Sequence, residues 1–273
     1  MIHISAFADE IAADLAEQIT VLHSEGISHL DLRAAWGTNV LDLTDAQVAE
    51  ARRQLNEAGI RVAAIGSPIG KVPVNGDFEQ HLARFERALT LAHIFETPYI
   101  RIFSFYPPAD SPKAEPAAWR DEVIRRLREL TTRAGAVGIT LVHENEKDIY
   151  GDTIDRCVDL LTTLDDPHFV AAFDPANFIQ CGQEPYPAAY EALASWIEYV
   201  HVKDAQADGT VTAAGEGIAA WPGLLIRLRD AGYDGFLSLE PHLAEGGRFG
   251  GFSGPARFRH ASQALQGLLK GME

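Results

Sequence analysis

Thr140-Leu141-Val142-His143-Glu144, Val170-Ala171-Ala172-Phe173-Asp174, Ile197-Glu198-Tyr199-Val200-His201 and Phe236-Leu237-Ser238-Leu239-Glu240 are short runs of one kind. Each is apolar and β-rich, and each ends in a residue that binds hard or borderline divalent metals. The ends lie about 30 to 40 residues apart, the length of one strand–loop–helix–loop unit. Parallel strands carried by such units bring their C-terminal ends to one side of a sheet or barrel. Glu144, Asp174, His201 and Glu240 are therefore expected to converge on one small volume. Strand alternation allows it: Val142 shares a face with Glu144, Tyr199 with His201 and Lys203, and Phe236 with Ser238 and Glu240. Three carboxylates and an imidazole, with no thiolate, suit one divalent ion, Mn2+, Mg2+, Zn2+ or Co2+. Taken singly, each acid reads more readily as a helix cap or a loop brace, and His201 as a structural histidine. The joint placement at successive strand ends makes the case for a metal.

Outward from these runs, strand and helix signals alternate along the whole chain. Strands are expected over Ile2–Phe7, His29–Arg33, Arg61–Ile65 and Tyr99–Ser104, and then ending at Glu144, Asp174, Lys203 and Glu240. Helices are expected over Asp9–Gly26, Thr44–Ala58 with Thr44 as N-cap, Phe78–Phe95, Pro116–Ala136, Thr153–Leu164, Ala188–Ser195, Pro222–Ala231 and Pro255–Leu269. Strict alternation means a parallel sheet covered by helices. The chain has 273 residues, and a (β/α)8 barrel needs about 250. The expected fold is α/β, one (β/α)8 TIM barrel over residues 1–273, with no linker or composition shift to divide it. The longest loops, Tyr106–Glu115 and Leu243–Gly254, follow strands and so fall on the catalytic face, where they could shield a bound substrate.

The formal net charge of -16 repels phosphate backbones and anionic lipids at long range. Nucleic acid and membrane surfaces are not expected partners, and no apolar run approaches the ~20 residues of a membrane span. Cys157 and Cys181 read as reduced thiols rather than a staple. The N-terminal run opens directly as a strand, without a signal-peptide pattern, so the expected location is the cytoplasm. Association through the outer helices into a homo-oligomer is compatible with the fold.

The motifs Val142-His143-Glu144-Asn145, Phe173-Asp174-Pro175-Ala176-Asn177, His201-Val202-Lys203-Asp204, Gly215-Glu216-Gly217 and Tyr233-Asp234-Gly235-Phe236-Leu237-Ser238-Leu239-Glu240 resemble the xylose-isomerase-like TIM-barrel superfamily. The nearest group is its sugar phosphate isomerases and epimerases, with the ketose 3-epimerases, inosose dehydratases and hydroxypyruvate isomerases. The resemblance implies that Glu144, Asp174, His201 and Glu240 are metal ligands and that Glu144 and Glu240 double as acid and base. It implies a small sugar or cyclitol substrate and proton transfer next to a carbonyl through a metal-stabilised enediolate. An inosose-type dehydratase is the alternative reaction, and a non-catalytic sugar-binding protein the alternative of another class. Two positions depart from the family pattern: Asn177 stands where a histidine is frequent, and Tyr150 where some epimerases carry a glutamate. The DNA-repair branch needs further histidines, which Ile65-Gly66-Ser67 and Phe103-Ser104-Phe105 do not supply.

Accessory substrate contacts are expected from Lys203 and Asn177, and from Glu146 and His242, each two residues past a ligand. Arg33 and Arg101 can each grip a substrate carboxylate or phosphate bidentately, or pair with a buried acid. Trp36 can wall the site or simply pack, and Trp221 with Pro222 is expected to start a helix.

Overall fold

The computed structural model describes residues 2–243 and 253–271. Strands β1 (His3–Ala6), β2 (His29–Leu32), β3 (Arg61–Ile65), β4 (Tyr99–Ile102), β5 (Thr140–Glu144), β6 (Phe169–Phe173), β7 (Ile197–Val202) and β8 (Phe236–Leu239) form one sheet. Its order is β1-β8-β7-β6-β5-β4-β3-β2, and all recorded pairings are parallel. The two ends of this order, β1 and β2, lie in contact. The sheet is thus a nearly closed barrel, and every strand ends on the same side.

Helices connect the strands: α1 (Leu15–Ser24), α2 (Asp45–Glu57), α3 (Phe78–Ile94), α4 (Pro116–Ala136), α5 (Ile154–Leu164), α6 (Pro175–Gln180), α7 (Tyr190–Leu193), α8 (Trp221–Asp230) and α9 (Gly254–Lys270). Their starts follow local chemistry. Thr44 caps α2 in a reciprocal box with Gln47, as expected, and Asp77 accepts from Gln80 N at 3.0 Å to cap α3. Between helices and sheet lies the large apolar core, which takes in Phe85, Leu89, Leu127, Phe169, Leu224 and Phe258. Each side chain so buried contributes about 1.5–3 kcal/mol relative to exposure. A smaller cluster, Ala63, Ala64, Val142, Val170, Ala172 and Tyr199, fills the barrel interior.

Above that cluster a buried polar layer closes the seam. The Asp31 carboxylate on β2 accepts from Ser5 on β1, from Ser238 on β8, and from the Tyr199 hydroxyl on β7 at 2.6 Å. One acid thus ties strands from both ends of the sheet order.

The structure corrects several boundaries. The first helix starts at Leu15, because Asp9 and Glu10 lie in a short 3-10 turn (Ala8–Glu10) facing Arg33. The segment after β6 is not one helix from Ala188. It is α6 directly after Asp174, then an irregular turn with the four-residue α7. β7 stops at Val202, and Asp204–Ala205 turns into a hairpin with Val211–Thr212. Trp221 opens α8, as expected. Most of the Leu243–Gly254 loop lies outside the described residues. No helix among those described is long and apolar enough to cross a membrane.

Candidate metal centre

Alternation on β5, β7 and β8 aims Val142, Tyr199 and Ser238 at the barrel interior, and the next inward positions are Glu144, His201 and Glu240. Ser238 is in register with His201, which sets the two strand ends side by side. Asp174 arrives differently: it lies just past β6 as the N-cap of α6. Its Oδ1 accepts from Asn177 N at 2.9 Å, so Oδ2 is left over. The backbone of Asp174 is clamped by the Asn145 side chain, which donates to its carbonyl and accepts from its N–H, both at 2.9 Å.

One ligand atom from each of Glu144, Asp174, His201 and Glu240 lies within 4.8 Å of the other three, and all four residues are buried. Both ring nitrogens of His201 and Glu240 Oε2 make no hydrogen bond, and Asp174 Oδ2 has only the Lys203 ammonium, 2.9 Å away. A buried polar atom without a partner costs about 1–3 kcal/mol. A single divalent cation among them would satisfy Asp174 Oδ2, His201 Nδ1 and Glu240 Oε2 together, and the oxygen-rich, thiolate-free set matches such an ion. The residues fit the metal.

The surrounding charges are ordered. Lys203 Nζ lies 2.9 Å from Asp174 Oδ2 and 3.5 Å from Glu240 Oε2. Arg101 Nη1 reaches Glu144 Oε2 at 3.1 Å and Glu240 Oε1 at 3.4 Å. Arg33 spans Asp9, Glu10 and Glu240 at 2.7, 3.0 and 3.0 Å. Phe7 lies beneath both guanidinium groups, at 4.9 Å from Arg33 and 4.8 Å from Arg101, with its edge toward the His201 ring. Burial alone would raise every carboxyl here. Burial pushes Glu144 up, but His201 and Arg101 outweigh it and hold the carboxyl well below its ordinary value. For Glu240, burial and the like charge of Glu144 push up, and Lys203 and His201 bring it down to about 2. Burial raises Asp174 to about 6 despite Lys203. Burial disfavours charged His201, yet Glu144 and Glu240 raise it above its ordinary value.

The accessory residues fall into place unevenly. Asn177 donates to Glu144 Oε1 at 3.0 Å, so it orients that carboxylate within the cluster. Lys203 is in the cluster, its carbonyl fixed by the Trp221 indole at 3.2 Å. The next residue, Asp204, gathers the N–H groups of Ala205, Gly215, Gly217 and Ala219 within 3.1 Å. A side chain at Gly217 would put Cβ 2.3 Å from Asp204 Oδ1, which accounts for Gly217 in the Gly215-Glu216-Gly217 motif. Glu146 is paired with Lys71 at 2.8 Å on the rim. His242 packs on Glu10 at 3.2 Å, with Glu240 at 3.8 Å, and burial lowers it to about 3. Arg33 and Arg101 are in ion pairs with the acids of the site. Trp36 is half-buried, packed on the core. Tyr150 donates to Asp159 on α5 at 2.7 Å and takes no part in the cluster.

Sequence reading missed Phe7, Asp9, Glu10, Lys71 and Asn145. The available signal was positional, since the ends of β1 and β3 open on the same face as the ends of β5–β8.

Comparison with known proteins agrees with this architecture. The model of the xylose isomerase-like TIM barrel family matches residues 21–267. No curated protein matches the chain by sequence. Among solved structures, the probable 3-DHS dehydratase AsbF of Bacillus anthracis superposes with a TM-score of 0.78 at 18% identity, over 97% of this chain and 99% of that one. D-psicose 3-epimerase from Clostridium cellulolyticum H10, solved with D-tagatose, gives 0.75 at 18%, over 98% of each chain. A xylose isomerase-like TIM barrel protein from Mycobacterium smegmatis, in complex with magnesium, gives 0.72 at 21%, over 98% and 97%. At these identities the likeness is one of fold.

Proposed function

The chain belongs to the xylose isomerase-like TIM barrel family, and we propose that it is an isomerase or epimerase of a small sugar or cyclitol. It would act by moving a proton next to the carbonyl, with a divalent ion held by Glu144, Asp174, His201 and Glu240. The observation that carries this reading is the convergence of four buried ligand atoms within 4.8 Å, several of them without hydrogen bonds. A bound divalent ion supplies Lewis acidity, which polarises the carbonyl and steadies the charge left when the proton departs.

The protein's own groups supply the rest. Glu144 and Glu240 are both held ionised, so either can accept a proton from carbon and return it. Each carboxylate is fixed in orientation, Glu144 by Asn177 and Arg101, and Glu240 by Arg33. Lys203 and Arg101 place permanent positive charge beside the same centre, where negative charge develops on the substrate oxygens. Return of the proton to the opposite face gives an epimer, and return to the neighbouring carbon gives an aldose–ketose pair.

The test combines metal analysis with solvent-deuterium exchange into a panel of ketoses and inososes. We expect a stoichiometric divalent ion and stereospecific exchange that falls by about 10²–10⁴-fold in Glu144→Gln and in Glu240→Gln. Loss of water from an inosose would assign the site to a dehydratase. Binding of sugars without any exchange would assign it to a sensor. Undiminished turnover in both variants would remove the glutamates from the acid/base role.

A further inference from the structure

A cavity of about 380 Å3 opens on the face where the strands end, between the β4–α4 loop and the turn that follows β5. Its walls include Tyr106, Pro107, Pro108 and Trp119 on one side and Asp148 and Asp152 on the other. Arg101, which touches Glu144, stacks on Phe103, and Lys71 lies over the same ring at 4.3 Å while pairing with Glu146. Tyr106 follows three residues after Phe103, with backbone bonds to Val72 and Val74 on either side of Pro73, and within reach of the charges of Glu146 and Asp148. The cavity and the quartet thus open on the same face of the barrel, linked through the Arg101, Phe103 and Lys71 stack.

Its chemistry is specific. Tyr106 and the prolines offer flat apolar faces, and Trp119 closes the back, wedged edge-on against Tyr150. Asp148 and the Tyr106 phenol offer hydrogen-bonding atoms at the margin. No cationic side chain lines the cavity among the described residues, and Asp152 is held by Arg156. The Asp148 carboxylate, with no cation in the lining, disfavours a phosphate or a carboxylate ligand. A ring with apolar C–H faces and a hydroxyl edge matches both surfaces, and the volume lies at the small end of ligand sites.

We propose that this cavity is a second carbohydrate subsite that takes an uncharged sugar ring, so that the substrate is a glycosylated carbonyl sugar whose reacting unit lies at the metal quartet. The assignment of the reacting unit rests on the proposed function. The subsite itself rests on the cavity.

The test compares deuterium exchange into D-fructose with exchange into the uncharged ketose disaccharides isomaltulose and turanose. At least one disaccharide should exceed fructose in kcat/KM by about tenfold. Tyr106→Ala should erase that ratio and leave fructose unchanged, and Asp148→Asn, an exposed substitution, should raise only the disaccharide KM. Equal rates for all three sugars, or variants that change fructose and disaccharide alike, would overturn the proposal. If no sugar exchanges, the proposed reaction fails, and the cavity is judged by saturation-transfer NMR with methyl α-D-glucopyranoside. A signal lost in Tyr106→Ala supports the subsite, and no signal from the unmutated protein rejects it.

Discussion

Metal binding to the quartet should release protons in an amount set by Asp174 and His201. At pH 6 the Asp174 carboxyl, raised to about 6 by burial, is about half protonated in the metal-free protein. His201 is held above its ordinary 6.5 by Glu144 and Glu240 against burial, so at pH 6 its ring is mostly protonated. Glu144 and Glu240 are already ionised and contribute nothing. An ion that coordinates all four must displace the sum, which exceeds the roughly half a proton that Asp174 alone releases at pH 6. At pH 8 the Asp174 share falls to about a hundredth. The assay is calorimetric titration of metal-stripped protein with Mn2+ at pH 6, once in a buffer of low ionisation enthalpy and once in one of high. The difference in apparent enthalpy divided by the difference in buffer enthalpy gives the protons released. Identical enthalpies in the two buffers, or a release undiminished in Asp174→Asn and His201→Gln, would refute the assignment of these two residues as ligands.

Lys203→Met removes the cation that opposes the burial of Asp174, so that carboxyl rises further and proton release at pH 7 should grow from about a tenth toward a half from this group. The same calorimetry reads it. His81, lowered to about 4 by burial, accepts from Gly70 N at 3.0 Å and must stay neutral to do so. Its folded value lies below the unfolded 6.5, so its contribution is complete above that pH and is lost as pH falls toward 4. Urea unfolding should show an acid loss of about 2.5 kcal/mol between pH 7.5 and 4.5 that is missing in His81→Gln. Gly70→Ala places Cβ 2.0 Å from the Phe103 carbonyl oxygen at a φ of +89°, and should lower the melting temperature by about 5–10 °C.

The legible parts of this protein are those with short-range causes. Strand alternation, cap residues and the spacing of strand ends are written over a few residues at a time, and they pointed to the barrel and to the Glu144, Asp174, His201, Glu240 set. The helix after β1 was misplaced because Asp9 and Glu10 look like a helical first turn, whereas their partner, Arg33, comes from the next strand end. Asn177 could be read equally as a cap or as a substrate contact, and the fold gives it a third role, bonding Glu144 across the gap between two strands.

Charge pairing is where local reading stops. Arg33 and Glu240 are 207 positions apart and meet only when the sheet curls so that β1 bridges β8 and β2. Nothing in the residues flanking Arg33 says whether its guanidinium meets a buried acid of the cluster or a substrate anion, because both are the same electrostatic demand met at different distances. Patterning along the chain sets which side chains face inward. Closure of the ring sets which of those side chains neutralise one another, and therefore the protonation of Asp174 and His201 before any ion arrives.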